Sequence, residues 1–193
     1  MDSLAGKEMI DPRSNSRAVP VLACLMALSG CQQQPSSQNS PVENHPSDTS
    51  ESEMPSALDL TSLSFNGVQT GEAVTSQNAA GVQLIHEGNA LSSIFVTIAS
   101  FKGSVTADGK PMELHAATTP AAIIESFGEP YWRDDDEGET ILFYEYEAGA
   151  VELQFEFSSP GSFDFITIAR PGVLADAEQR TAYGVDKEWP PAS

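Results

Sequence analysis

Three runs near the C-terminal end, TILFYEYE, VELQFEF and FDFITIAR, constrain the fold more than any other feature of the chain. Each is rich in β-branched and aromatic residues, and only AGA and SSPGS separate them. A parallel crossover needs about a dozen residues or more, so connections this short make the runs an antiparallel meander. In the middle run Val151, Leu153, Phe155 and Phe157 alternate with Glu152, Gln154 and Glu156. That alternation predicts a strand with one dry and one wet face.

Ahead of the meander lies TTPAAIIESFGEP, residues 118–130. Thr119 is placed to cap a helix, and Pro120 fits the first helical position, where its missing N–H costs nothing. Gly128 fits the left-handed position after the last turn, and Pro130 prevents continuation. Two turns of helix are marginal in water, so Ile123, Ile124 and Phe127 must dock on something, and the meander is the nearest surface. The expected fold class is α+β: a short helix packed on an antiparallel sheet that ends in a three-stranded meander. The half that precedes the helix is strand-rich, with candidate strands at 58–65, 82–86 and 93–101. Asp108-Gly109 then marks a hairpin between two short extended runs. In the tail a turn or two of helix is expected before Gly184, and Trp189 is expected to fold back as a lid on the domain.

The N-terminal region carries a different message. AVPVLACLMAL, residues 18–28, is apolar but shorter than the roughly 20 residues that a membrane span needs. Its length and flanks match the central region of a secretory signal. The stretch Leu28-Ser29-Gly30-Cys31 resembles the lipobox of bacterial lipoproteins. That resemblance implies cleavage before Cys31 and acylation of its sulfur, as with palmitate. The residues ahead of the apolar run set Asp2, Glu8 and Asp11 against Lys7, Arg13 and Arg17, so they sum to zero although signals usually start positive. Translation from Met9 would restore a basic start. The organisation that follows is a signal peptide over 1–30, a disordered tether over 31–57 and a single α+β domain over 58–193.

With the signal removed, the whole net charge of −19 lies on the exported part. Such a surface repels nucleic acid and anionic headgroups, so membrane attachment would rest on the acyl chains. Residues 32–56 read QQQPSSQNSPVENHPSDTSESEMPS, which holds too little apolar surface to fold. As a flexible tether of about 25 residues it would reach roughly 25–30 Å. Cys24 is lost with the signal and Cys31 would be acylated, leaving no thiol for a disulfide, so the core alone must hold the domain.

Chemistry is sparse. DDDEGE, residues 134–139, is the one dense acidic cluster, and calcium is the metal it would suit. Asp134, Asp136 and Glu145 could take the first, third and twelfth places of a calcium loop, but Glu139 stands where the turn needs glycine. His45, His86 and His115 show no metal-ligand spacing, and no serine sits in a nucleophile elbow. Glu125, Glu129 and Glu152 could supply a carboxylate pair only if the fold brought them together. No catalytic residue and no cofactor is expected.

The order of lipobox, tether, short helix, Phe127-Gly128-Glu129-Pro130 and the aromatic Phe143-Tyr144 is similar to the small outer-membrane lipoproteins of the SmpA/BamE type. The likeness covers about residues 118–157. It implies a non-catalytic binding or scaffold role in the cell envelope. In the enterobacterial sorting rule Gln32, following the cysteine, points to the outer membrane, facing the periplasm. Recognition of an envelope protein is placed on Tyr131, Trp132 and Arg133, read as a loop between helix and meander, because these residue types are enriched at interaction hot spots. The competing expectation is that Trp132 packs over the sheet edge. Two other functions stay open: an acidic inhibitor or immunity-type protein that caps a basic partner, and a hydrolase with a site built by the fold.

Overall fold

The computed structural model describes residues 56–73, 79–136, 138–159 and 161–191. Cys31, His45, the expected signal peptide and residues 31–55 of the expected tether lie outside the described residues, while Ala57, the last residue assigned to the tether, is the first of β1. The order of elements is β1 (Ala57–Asp59), β2 (Ser64–Phe65), β3 (Val68–Gln69), β4 (Val82–Glu87), β5 (Ala90–Thr97), β6 (Ser104–Ala107), β7 (Lys110–Pro111), α1 (Pro120–Phe127), β8 (Trp132–Asp136), β9 (Glu139–Tyr146), β10 (Val151–Ser159), β11 (Ser162–Ala169) and α2 (Ala177–Ala182). Turns of 3-10 helix follow β9 at Glu147–Gly149 and β11 at Val173–Ala175.

The strands make two sheets. The larger has the order β4-β5-β11-β10-β9-β8 and is antiparallel throughout. The smaller has the order β3-β2-β1-β6-β7, with one parallel pair, β1 beside β6. The fold is α+β, as the sequence predicts, and the meander is present with one strand more than expected. The extra strand is β8: Trp132–Asp136 pairs with β9, with Trp132 opposite Phe143 and Asp134 opposite Ile141. Tyr131 stays in the bend just ahead of it, while the loop expected for Trp132 and Arg133, and for the acids Asp134 to Asp136 after them, is therefore corrected to an edge strand. Its charges suit an edge, where they discourage pairing with another chain.

Two expected strands are also corrected. Residues 58–65 are broken by a turn between β1 and β2, and β5 ends at Thr97 instead of running to Phe101. The hairpin at Asp108-Gly109 forms as expected between β6 and β7, with both turn residues at positive φ.

α1 begins and ends where its capping residues put it. The Thr119 hydroxyl accepts from the Ala122 N–H at 3.3 Å, and Pro120 opens the helix. Gly128 ends it at φ 80° and ψ −173°, in extended mirror-image space that essentially glycine alone adopts. The helix lies on one face of the large sheet. Ile123 is fully buried, a burial that contributes about 1.5–3 kcal/mol, and Phe127 packs on Tyr144 and Phe155 at ring separations of 5.8 and 5.2 Å. The Tyr144 hydroxyl donates to the Gly128 carbonyl at 2.9 Å, and burial pushes its pKa up to about 12. Residues of both sheets and α1 share one core, with Leu58, Phe65, Ile94, Leu153, Phe155 and Ile166 among its largest buried side chains.

The wet face expected of β10 is not wet. Glu152 is 0% exposed and Gln154 6%. The chain after β11 folds back as a strap across the side of the sheet opposite α1 and seals them in.

Candidate functional site on the outer face of the large sheet

Cross-strand register orders the face that points away from α1. One row runs Trp132, Phe143, Gln154, Thr167, Phe95 and Gln83 from β8 to β4. On one side of it lies Glu145, Glu152, Ala169, Ser93 and Ile85, and on the other Asp134, Ile141, Glu156, Phe165 and Thr97. Asp136 and Glu139 close the face at the β8–β9 turn.

The strap covers the corner that holds Glu145, Glu152, Phe143 and Trp132. It lies so close that a Cβ on Gly172 would come within 2.3 Å of the Glu152 Cβ. Val173 and Leu174 donate their backbone N–H groups to the two Glu152 oxygens, each at 2.9 Å, and Gln154 donates to the same carboxyl. Leu174 is fully buried. Asp176 caps α2 by accepting from the Glu178 and Gln179 N–H groups at 2.6 and 3.2 Å, and Arg180 donates to the Leu174 and Ala175 carbonyls. Tyr183 then meets Phe143 edge-on at 5.2 Å, while its carbonyl accepts from the Trp132 indole at 3.1 Å.

The last residues of the strap fasten to Tyr131. The Lys187 ammonium donates to the Tyr131 carbonyl at 2.5 Å and sits over its ring, and the Tyr131 hydroxyl donates to the Glu188 carbonyl at 3.0 Å. Trp189 packs edge-on to Tyr131 at 5.8 Å under the Arg180 guanidinium, so it folds back as a lid. Tyr131 and Trp132 thus both meet this segment of their own chain. Arg133 points to the α1 side of the sheet and is paired with Asp135 at 2.7 Å, an exposed contact that contributes little.

Beneath the strap Glu145 stands directly opposite Glu152. Both Glu145 oxygens are sealed from water, and among the described residues neither has a hydrogen-bond partner of good geometry, the facing Glu152 carboxyl being the group set to take up the Glu145 proton. Burial first, and the Glu152 carboxyl beside it second, push the Glu145 pKa up to about 9. It is held as the neutral acid at neutral pH.

The strap leaves the other half of the face uncovered. Ile85 is 45% exposed, the only large apolar side chain so exposed among the described residues. Phe95 and Phe165 are half-buried neighbours with ring centroids 4.9 Å apart. Half-buried Ile141, Glu156 and Asp134 continue the surface to exposed Asp136 and Glu139. Burial raises the Asp134 pKa, and Asp136, Asp135 and Glu139 add to the rise. Burial also raises Glu156, opposed by the Thr167 hydroxyl that donates to it at 3.2 Å.

Asp134 and Asp136 share this face with Glu145 but are not gathered with it. Asp134 is level with Ile141, four residues along β9 from Glu145, or about 13 Å. Among the described residues no group of three acids, histidines or cysteines is arranged to hold a metal ion. Glu125 and Glu129 lie exposed by α1 and are not brought to Glu152; His86 and His115 are exposed and apart. The carboxyl pair that does form, Glu145 with Glu152, leaves no local mark in the sequence: Glu152 reads as a wet-face residue and Glu145 as the twelfth place of a calcium loop, and only the pairing of β9 with β10 sets them opposite. It lies away from two surface clefts among the described residues, one of about 430 Å³ beside Phe101, Met112 and His115 and one of about 330 Å³ beside Pro120, Asp135 and Thr140. No family model, curated protein or solved structure matches the chain.

Proposed function

We propose that the chain is a lipid-anchored protein of the cell envelope whose globular domain is a non-catalytic binding or scaffold module. The observation that carries the binding role is the half-covered sheet face: the chain caps one half with its own strap, and the strap leaves exposed Ile85 and half-buried Phe95, Phe165 and Ile141 uncapped on the other. An apolar surface ringed by polar residues marks an interaction site in a folded domain. The anchor rests on Leu28-Ser29-Gly30-Cys31 and the tether on the composition of residues 32–56. Gln32 favours the outer membrane, on its periplasmic side. The scaffold role rests on the resemblance of residues 118–157 to SmpA/BamE-type lipoproteins.

Cys31→Ser is expected to leave an unprocessed precursor without palmitate label, and unchanged labelling removes the anchor from this reading. Co-purification of the lipidated protein with an envelope partner, lost when the open face is altered and kept when α1 is altered, tests the module. The inhibitor or immunity-type reading draws support from the acids at the end of the open face, where the charged neighbours of Asp134 are carboxylates; capture that weakens with salt favours it. A hydrolase reading would need the sealed Glu145–Glu152 pair to become accessible.

A further inference from the structure

Resting on the reading of a binding module, we propose that the open half of the outer face docks an extended segment of another protein that carries both basic and apolar side chains.

The apolar part of the site is a diagonal. Ile85 on β4, Phe95 on β5 and Phe165 on β11 each step one strand across and one same-face position along, and Ile141 on β9 lies level with Phe165. With strands about 4.8 Å apart and same-face neighbours about 6.8 Å apart, Ile85 to Asp134 measures about 28 Å, the reach of roughly eight extended residues.

The far end of the diagonal is acidic. Glu156 and Asp134 flank Ile141, and Asp136 and Glu139 follow. Every charged neighbour that bears on Asp134 is another carboxylate. The nearest base in sequence, Arg133, is on the opposite face and is held by Asp135 at 2.7 and 3.0 Å. Among the described residues, then, the negative potential of this end is left for an outside cation.

Charge complementarity selects among occupants. A second copy of the chain would bring the same acids, and the whole chain carries −19. The chain's own residues 32–56 contain Glu43, Asp48, Glu51 and Glu53 and no Lys or Arg. An anionic lipid surface or a nucleic acid would be repelled. A segment that sets its apolar side chains on the diagonal and Lys or Arg on the acidic end meets both demands.

The test uses the full-length lipidated chain in its own cells, with the photoreactive residue p-benzoylphenylalanine in place of Ile85 and, separately, of Glu125 on α1. Crosslinked segments are sequenced by mass spectrometry. The expected product from position 85 is an envelope protein joined through a segment bearing Lys or Arg among apolar residues. Its yield should fall about tenfold when Asp134→Asn and Glu139→Gln are combined, with the melting temperature unchanged, since two lost charge contacts amount to about 1.4 kcal/mol. A crosslink to a second copy, to residues 32–56, to lipid or to an acidic segment overturns the proposal, as does a yield that ignores the two substitutions. A crosslink at position 125 with none at position 85 overturns this site and leaves the binding module standing; none at either position overturns both.

Discussion

Glu152 and Glu156 stand on the same strand and the same face, four residues apart, and the fold treats them oppositely. Glu152 lies under the strap, with two backbone N–H groups and the Gln154 amide directed at its carboxyl. Glu156, past the strap's edge, has one hydroxyl contact and a row of acids beyond it. The alternation of β10 is identical at both positions, so what makes a wet-face glutamate structural is the segment that folds over it. The strap has converted half of a solvated face into a second interior, organised around polar groups, and the other half is left outside it.

The largest expected effect follows from removing the strap's anchor. Glu152→Ala leaves the Val173 and Leu174 donors unpaired, and each buried donor so stranded costs about 1–3 kcal/mol. A loss of about 3 kcal/mol or more is expected in chemical denaturation, against less than about 1 kcal/mol for Glu156→Gln. Equal losses at the two positions would break the contrast between the halves.

The strap's far end is held by shape. Gly149 is at φ 84°, and a Cβ there would sit 2.6 Å from the Trp189 ring. Gly149→Ala should cost about 1–3 kcal/mol, from the combined overlap and backbone strain. Because it strikes the lid directly, tryptophan emission should shift to the red before global unfolding. Emission that stays unchanged would mean that Trp189 does not close on this turn.

Acidity separates the halves in a graded way. Glu145 is pushed from its ordinary value of 4.5 up to about 9, so the folded chain holds this proton more tightly than the unfolded chain does. Its stabilisation is fully present below about pH 4.5 and is lost as the pH rises toward 9. One such proton sets a ceiling of about 1.4 kcal/mol per pH unit, and because the residue is only partly buried although its oxygens are covered, the slope stays under it. Raised Glu156 acts with the same sign. Glu145→Gln should flatten the decline of stability between about pH 5 and 9, and parallel curves for variant and parent would show that Glu145 is already wet.

What could be read in the sequence was local, and what was missed is held at a distance. Thr119, Pro120 and Gly128 act within one helix, and Asp108-Gly109 within one hairpin, so both elements stand where their residues predict. β8 was missed because Trp-Arg-Asp-Asp-Asp offers no apolar alternation, and an edge strand needs none when one neighbour supplies its pairing. The parallel union of β1 with β6 joins residues 57–59 to 104–106 and leaves no mark in either stretch. For the site, Tyr131 and Trp132 stood out as large aromatics, but their partners Tyr183, Lys187 and Glu188 lie more than fifty residues on. The open diagonal needs the register of three strands before Ile85, Phe95 and Phe165 become neighbours.

The smallest expected effect on stability belongs to the open half, and it bears directly on whether that half is open. Ile85 lies on the edge strand β4 and is 45% exposed. Ile85→Thr keeps a β-branched residue, so the strand's backbone preference is little changed, and only the part of the side chain already covered can be lost. The expected cost is within about 0.5 kcal/mol, the range of ordinary surface substitutions, against the several expected at Glu152. The measurement is made twice, on the full chain and on a chain starting at residue 56. A cost near 2 kcal/mol in the full chain alone would mean that residues ahead of β1 lie over Ile85, and a similar cost in both would mean that the face is packed by the domain itself. Either result would erase the difference between the halves, whereas a small cost in both leaves Ile85 free to spend its apolar surface on a partner.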